Sequence, residues 1–180
     1  MTPEIARALA QARTLADEAA VATAYDRLAR EIEADFAGTW PVIVCVMVGA
    51  LYATAEITRR LGFDFELDYL HATRYRGQTS GADLHWKASP GVPLEGRHVL
   101  VIDDILDEGH TLAGIQASLR AQQPASLRTA VLVEKEHRRR DPQTSAEYVG
   151  LRLPDEYLVG CGMDYRNFGR QLTHIAAVAL

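Results

Sequence analysis

Two kinds of hydrophobic pattern alternate along this chain. Continuous apolar runs occur at Val42-Ile43-Val44-Cys45-Val46-Met47-Val48, at Val99-Leu100-Val101-Ile102, and at Ala130-Val131-Leu132-Val133 in the middle of 127–134. Runs of this length and β-branched content read as strands buried on both faces, as in a parallel sheet. The other pattern has helical spacing. Val21, Ala24, Leu28, Ile32 and Phe36 predict an amphipathic helix from about Ala20 to Phe36, stopped by Gly38 ahead of Pro41 and covering one face of a sheet. Leu51 to Leu61 continues helically after Gly49, and Leu112, Ile115 and Leu119 mark another helix. At the start, Thr2-Pro3-Glu4 reads as an N-cap with proline in the first turn, and the alanine-rich segment through Leu15 is helix-prone. Asp64 to Thr73 alternates, with Phe65, Leu67 and Tyr69 on the side expected to be buried. The polar, glycine-bearing stretch 74–81 and the strand-like piece 83–87 then suggest a surface hairpin.

Composition narrows the picture. With 180 residues, 48% of them hydrophobic, the chain suits one domain over 1–180 with a substantial core. The net charge of −5 supplies no general pull toward nucleic acid or an anionic membrane. Against it stands one basic run, His137-Arg138-Arg139-Arg140, read as a solvated turn or subunit contact. Cys45 and Cys161 lie in apolar surroundings far apart in sequence, which suggests neither a disulfide nor a metal cluster and suits a reducing cytoplasm. No apolar run approaches the roughly 18 residues of a membrane span.

Chemistry concentrates where the run Val99–Ile102 meets Asp103 and Asp104. The strand is expected to end at this pair, with Ile105, Leu106, Asp107, Glu108, Gly109, His110 and Thr111 leading into the helix at Leu112. A loop opening a helix presents unpaired backbone N–H groups, and Gly109 lets several converge on a phosphate. Thr111 can add a hydroxyl and cap the helix. Carboxylates beside such a loop would repel a bare polyphosphate. They therefore call for hydroxyls, Mg²⁺ or a proton to be removed.

This stretch resembles the phosphoribosyl diphosphate motif of the type I phosphoribosyltransferases: an apolar strand, two acidic residues, two apolar residues, then Asp-x-Gly-x-Thr. A second match, from Tyr148 through Leu153-Pro154-Asp155-Glu156-Tyr157-Leu158-Val159 to Asp164-Tyr165, is similar to the closing segment of the hypoxanthine-guanine phosphoribosyltransferases. The resemblance implies a mainly parallel twisted α/β sheet flanked by helices. It also implies a flexible lid hairpin over 74–88 and a small hood over 150–180 that binds the base, while the N-terminal helical region over 1–37, read from its own pattern, lies outside the match. The implied activity is transfer of phosphoribose from phosphoribosyl diphosphate to N9 of a 6-oxopurine in a Mg²⁺-dependent reaction, by a homodimer or homotetramer.

Residue roles follow from the same resemblance. Asp103 and Asp104 would hold the ribose hydroxyls directly or through the metal, and Asp107 would act catalytically against purine N7. Glu108, Gly109, His110 and Thr111 would wrap the 5′-phosphate, with the Glu108 side chain turned outward. Val48 and Gly49 match the pyrophosphate loop, where the family often has a non-proline cis peptide, here Met47-Val48. Val48 stands where purine-using members often carry Lys or Arg, and Arg170 matches an arginine aimed at pyrophosphate. Lys135 would donate to O6 of the base, Tyr157 would stack on it and Leu158 would offer it backbone. Asp164 would order Mg²⁺. In the lid, Tyr75 carries over, while Arg74 replaces the usual serine. Read without the resemblance, Gly49 needs only to permit a tight turn, Lys135 is a solvated strand end and Tyr157 a core aromatic. Two rivals remain. A signalling receiver domain would place its acidic pair at the first strand, and a regulator of the same fold would bind RNA or an effector through the arginine run.

Overall fold

In the computed structural model, which describes residues 1–74 and 84–179, the strand runs assemble into two sheets. Six strands form the larger one: β2 (Val42–Val46), β3 (Glu66–Arg74), β4 (Leu84–Ala88), β5 (His98–Leu106), β6 (Ser126–Glu136) and β7 (Tyr148–Pro154), in the order β4-β3-β2-β5-β6-β7. All pairings are parallel except that of β4, which returns antiparallel along β3. Period-2 alternation divides the central strands between two cores. Ile43, Leu100, Ile102 and Leu132 face the helices α2 (Glu18–Phe36) and α3 (Leu51–Thr58), while Val44, Val101 and Val131 face α4 (His110–Arg120). The stripe Val21, Ala24, Leu28, Ile32 and Phe36 is buried along α2 as its spacing predicts. That helix starts at an Asp17 cap, whose carboxylate accepts from the Ala20 N–H at 2.8 Å.

Three expectations need correction. The first helix, α1 (Pro3–Ala10), has the expected Thr2 cap but stops at Ala10, and Arg13–Ala16 forms strand β1. This strand pairs with β9 (Ile175–Val178), which pairs on its other side with β8 (Tyr157–Val159), giving a small antiparallel sheet β1-β9-β8. Ladder pairing outweighs the helix preference of an alanine-rich segment. In β3 the buried side is Leu70 and Ala72, while Leu67 and Tyr69 are 58% and 49% exposed, so the covered face is opposite to the expected one. Alternation fixes that two faces differ; only packing decides which one is covered. Finally, β5 does not end at Asp103-Asp104 but continues to Leu106. Tyr75 lies outside the described residues, between the ends of β3 and β4.

Candidate active site

The site exists because β5 outruns one of its neighbours. Pairing of β2 with β5 ends at Cys45–Ile102, whereas β6 follows β5 as far as Leu106–Glu134. Asp103 and Asp104 therefore stand where β2 has turned away through the cis peptide Met47-Val48 and Gly49 into α3. Gly49 is needed for this approach, since a Cβ there would lie 2.0 Å from Asp104 Oδ2. Both carboxyls are pushed above the usual range, first by burial; for Asp103 the neighbouring Asp104 adds to this, and for Asp104 the Arg170 guanidinium opposes it. Two acids poised to resist double ionisation suit a cation or sugar hydroxyls.

Beyond β5, Gly109 adopts φ 81° as N-cap of α4, and a Cβ there would also meet Thr144 Cγ2 at 2.9 Å. No side chain caps this helix. Thr111, expected as a cap, is its second residue, so the first-turn N–H groups face the loop without that competitor. The side chain of His110 is drawn aside to Asp141 Oδ2 at 3.0 Å, and that of Glu108 to Arg139 Nε at 3.3 Å. A cavity of about 880 Å³ opens over this loop, lined among others by Thr73, Asp103, Ile105, Asp107, Gly109 and Thr111.

A second cavity of about 220 Å³ lies beside it, lined by Asp104, Asp107, Lys135, Tyr157, Leu158 and Asp164, with Ile105 and Met163. Asp107 and Ile105 belong to both walls. Lys135, at the end of β6, is buried rather than solvated, its ammonium 2.7 Å from Asp107 Oδ2 and 3.8 Å from Asp155 Oδ1. Partial burial pushes the Asp107 carboxyl up, but hydrogen bonds from Lys135 and then His137 outweigh it and hold it below its ordinary value. Tyr157 is 39% exposed, its ring edge-on to Tyr165 with centroids 5.5 Å apart. Arg170 reaches Asp164 at 2.5 Å and the Gly162 carbonyl. Val48 is half exposed and lines neither cavity.

The basic run 137–140 is a bend in which Arg138 and Arg139 are exposed, as expected of a solvated turn, but most of its side chains are engaged. His137 is packed against Asp107, Arg139 pairs with Asp155 at 2.8 Å and Arg140 with Glu134 at 2.5 Å; Arg138 alone in the run stands exposed without such a pair among the described residues. Sequence reading missed His137 because a histidine beside three arginines carries no periodic signal; only the return of the chain under Asp107 reveals it. Ligand atoms of Asp107, His137 and Asp155 lie within 4.8 Å of one another, a spacing suited to a metal ion. Lys135 and Arg139 already satisfy the two carboxylates, so this cluster is an ion-pair network rather than a cation cage.

Comparison with known proteins agrees with the geometry. Hypoxanthine-guanine-xanthine phosphoribosyltransferase of Tritrichomonas foetus is 32% identical over 145 residues, covering 81% of this chain and 79% of that protein. Hypoxanthine phosphoribosyltransferase of Haemophilus influenzae is 33% identical over 140 residues, covering 77% and 78%. A crystal structure of a Bacillus anthracis hypoxanthine-guanine phosphoribosyltransferase superposes with a TM-score of 0.85 at 31% identity, over 93% of this chain and 98% of that one. A Trypanosoma cruzi hypoxanthine phosphoribosyltransferase in complex with its product IMP gives 0.86 at 28%, over 94% of each chain. The family model of the phosphoribosyl transferase domain matches residues 11–166, and with a helix-opening loop, a partly buried acidic pair and a lysine-floored cavity in one sheet edge, this chain belongs to that family.

Proposed function

We propose that this chain, as one domain, transfers the phosphoribosyl group of phosphoribosyl diphosphate to N9 of hypoxanthine or guanine, releasing pyrophosphate, in purine salvage. One observation carries the reading: Asp107 stands in the common wall of two cavities, one floored by a helix N-terminus and one by Lys135 and Tyr157. The first suits a sugar phosphate and the second a flat base with a carbonyl. A reacting C1′ and N9 would meet beside Asp107.

In this reaction the loop N–H groups at Gly109, His110 and Thr111 hold the 5′-phosphate, and Asp103 and Asp104 hold the ribose hydroxyls. Lys135 donates to O6, Tyr157 covers the ring and the Leu158 backbone meets its edge. As N9 bonds to C1′ and the bond from C1′ to the diphosphate breaks, Asp107 accepts the proton the purine gives up at N7. Positioning does most of the rest. Asp103, Asp104 and Asp164 carry the hard oxygen donors that Mg²⁺ prefers and are proposed to hold it, with Asp164 exchanging Arg170 for the ion; when bound it would neutralise diphosphate charge. Arg170, now on Asp164, is placed to move to the diphosphate, and Gly49 to offer backbone to it. For Val48 only its backbone is proposed to contribute.

The regulatory, RNA-binding reading loses support, since Arg139 and Arg140 are engaged in ion pairs. Among the described residues no helix is long and apolar enough to cross a membrane. Cytoplasmic location is proposed on the two free, buried cysteines. A homodimer or homotetramer is proposed on the exposed Leu67 and Tyr69 of β3. The deciding experiment measures nucleotide formation from phosphoribosyl diphosphate with a panel of bases. Turnover of hypoxanthine or guanine is expected, and equal conversion of adenine would overturn the 6-oxopurine assignment.

A further inference from the structure

The side chain of His137 is 5% exposed, and its Nε2 stands 2.8 Å from Asp107 Oδ1. Its other ring nitrogen, Nδ1, lies 3.1 Å from the backbone N–H of Arg139. A backbone N–H only donates, so Nδ1 accepts, and the proton of the neutral ring resides on Nε2, aimed at Asp107. The other carboxylate oxygen, Oδ2, receives Lys135 Nζ at 2.7 Å. Asp107 is thus gripped from two sides, but the grips differ in kind. Lys135 lines the base cavity and has donors to give an incoming carbonyl, whereas His137 is not among the described residues lining either cavity.

We infer that His137 is a positioning residue, which keeps the Asp107 carboxylate aimed at the junction of the two cavities when Lys135 turns to the base. This rests on the reading of Asp107 as the proton acceptor. The ring orients and does not relay, because passing a proton onward through Nδ1 would require giving up the Arg139 N–H. Its contribution belongs to turnover: His137 meets the loop before α4 through the Asp107 side chain, not through the Gly109, His110 and Thr111 N–H groups proposed to hold the 5′-phosphate.

Two isosteric fragments of the ring separate this role from a merely structural one. His137→Gln places an amide N–H near the position of Nε2 and preserves a donor to Asp107. His137→Asn keeps an acceptor near Nδ1 for the Arg139 N–H but is too short to reach Asp107. The expected result is near-normal kcat for the glutamine variant. For the asparagine variant, kcat should fall on the order of 10-fold, as for loss of one hydrogen bond to a charged group at a partly exposed site, with an unchanged KM for phosphoribosyl diphosphate. Adding His137→Asn to Asp107→Asn should cause no further loss, because the histidine acts through the carboxylate. Normal kcat for the asparagine variant, with loss in the glutamine variant, would assign the residue to the turn and overturn the inference, as would equal loss in both, which would make the whole ring rather than its Nε2 donor the requirement. If Asp107→Asn alone left turnover intact, the reading of Asp107 would fail instead, and the two failures are thereby told apart.

Discussion

Lys135 illustrates how much one side chain decides by the sign of its hydrogen bonds. A charged lysine has three donors and no acceptor, so it can meet a carbonyl O6 but sets donor against donor with the amino group of adenine. Sites built round one buried polar group reject the wrong partner by about 10⁴-fold. Lys135→Ala should therefore lose most of kcat/KM for hypoxanthine while narrowing the gap to adenine; steady-state kinetics on both bases measures this, and an unchanged preference would remove Lys135 from the base site. Asp107→Asn should lower kcat by a factor on the order of 10²–10⁴ with little change in phosphoribosyl diphosphate binding, read by kinetics and titration. Asp103 makes a different prediction, because burial and Asp104 raise its folded pKa. The native state then holds a proton that the unfolded chain releases, so stability present in acid is lost as pH rises through the window above the ordinary carboxylate value. In metal-free protein at neutral pH, Asp103→Asn should raise Tm by about 2–4 °C, with the gap closing in acid, while KM for phosphoribosyl diphosphate rises. A lower Tm would contradict the account.

Among the elements, β5 and the turn after β2 act as one device. The open edge along Asp103 and Asp104 depends on the chain leaving at Gly49 without a side chain. Gly49→Ala should displace the Asp104 carboxylate and raise KM for phosphoribosyl diphosphate about 10-fold or more, within the usual energy of overpacking, and kinetics at fixed Mg²⁺ would show it. Unaltered KM would mean the carboxylate is not needed where it stands. The limits of sequence reading also show best at this scale. Residues 99–102 and 42–46 were legible as strands because they are buried on both faces, where identity and environment agree. The end of β5 was not, since Asp103 and Asp104 are polar residues inside a ladder, placed there for the site and against the pattern. β1 was invisible for another reason. Its partner Ala177 lies at the far end of the chain, and no local window contains it.

For the whole molecule, the order of βα units was readable, along with the loop at Asp107–Thr111, Lys135 and the Tyr157–Asp164 segment. The face that stays uncovered was not. Leu67 and Tyr69 should be covered by a second copy; Leu67→Asp is expected to shift the protein to smaller species in light scattering while the monomer stays folded, and an unaltered mass would place the contact elsewhere. The pairing of Arg170 with Asp164 bears on how substrate arrives. With Arg170 and Lys135 each already matched by a carboxylate, and a net charge of −5, the protein offers little attraction to a highly anionic diphosphate approaching through solvent. Capture then depends on short-range exchange of partners rather than on long-range steering. Raising ionic strength toward physiological, where the screening length is about 8 Å, should leave the association rate unchanged or increase it. A steep fall with salt in stopped-flow would instead reveal a guiding field.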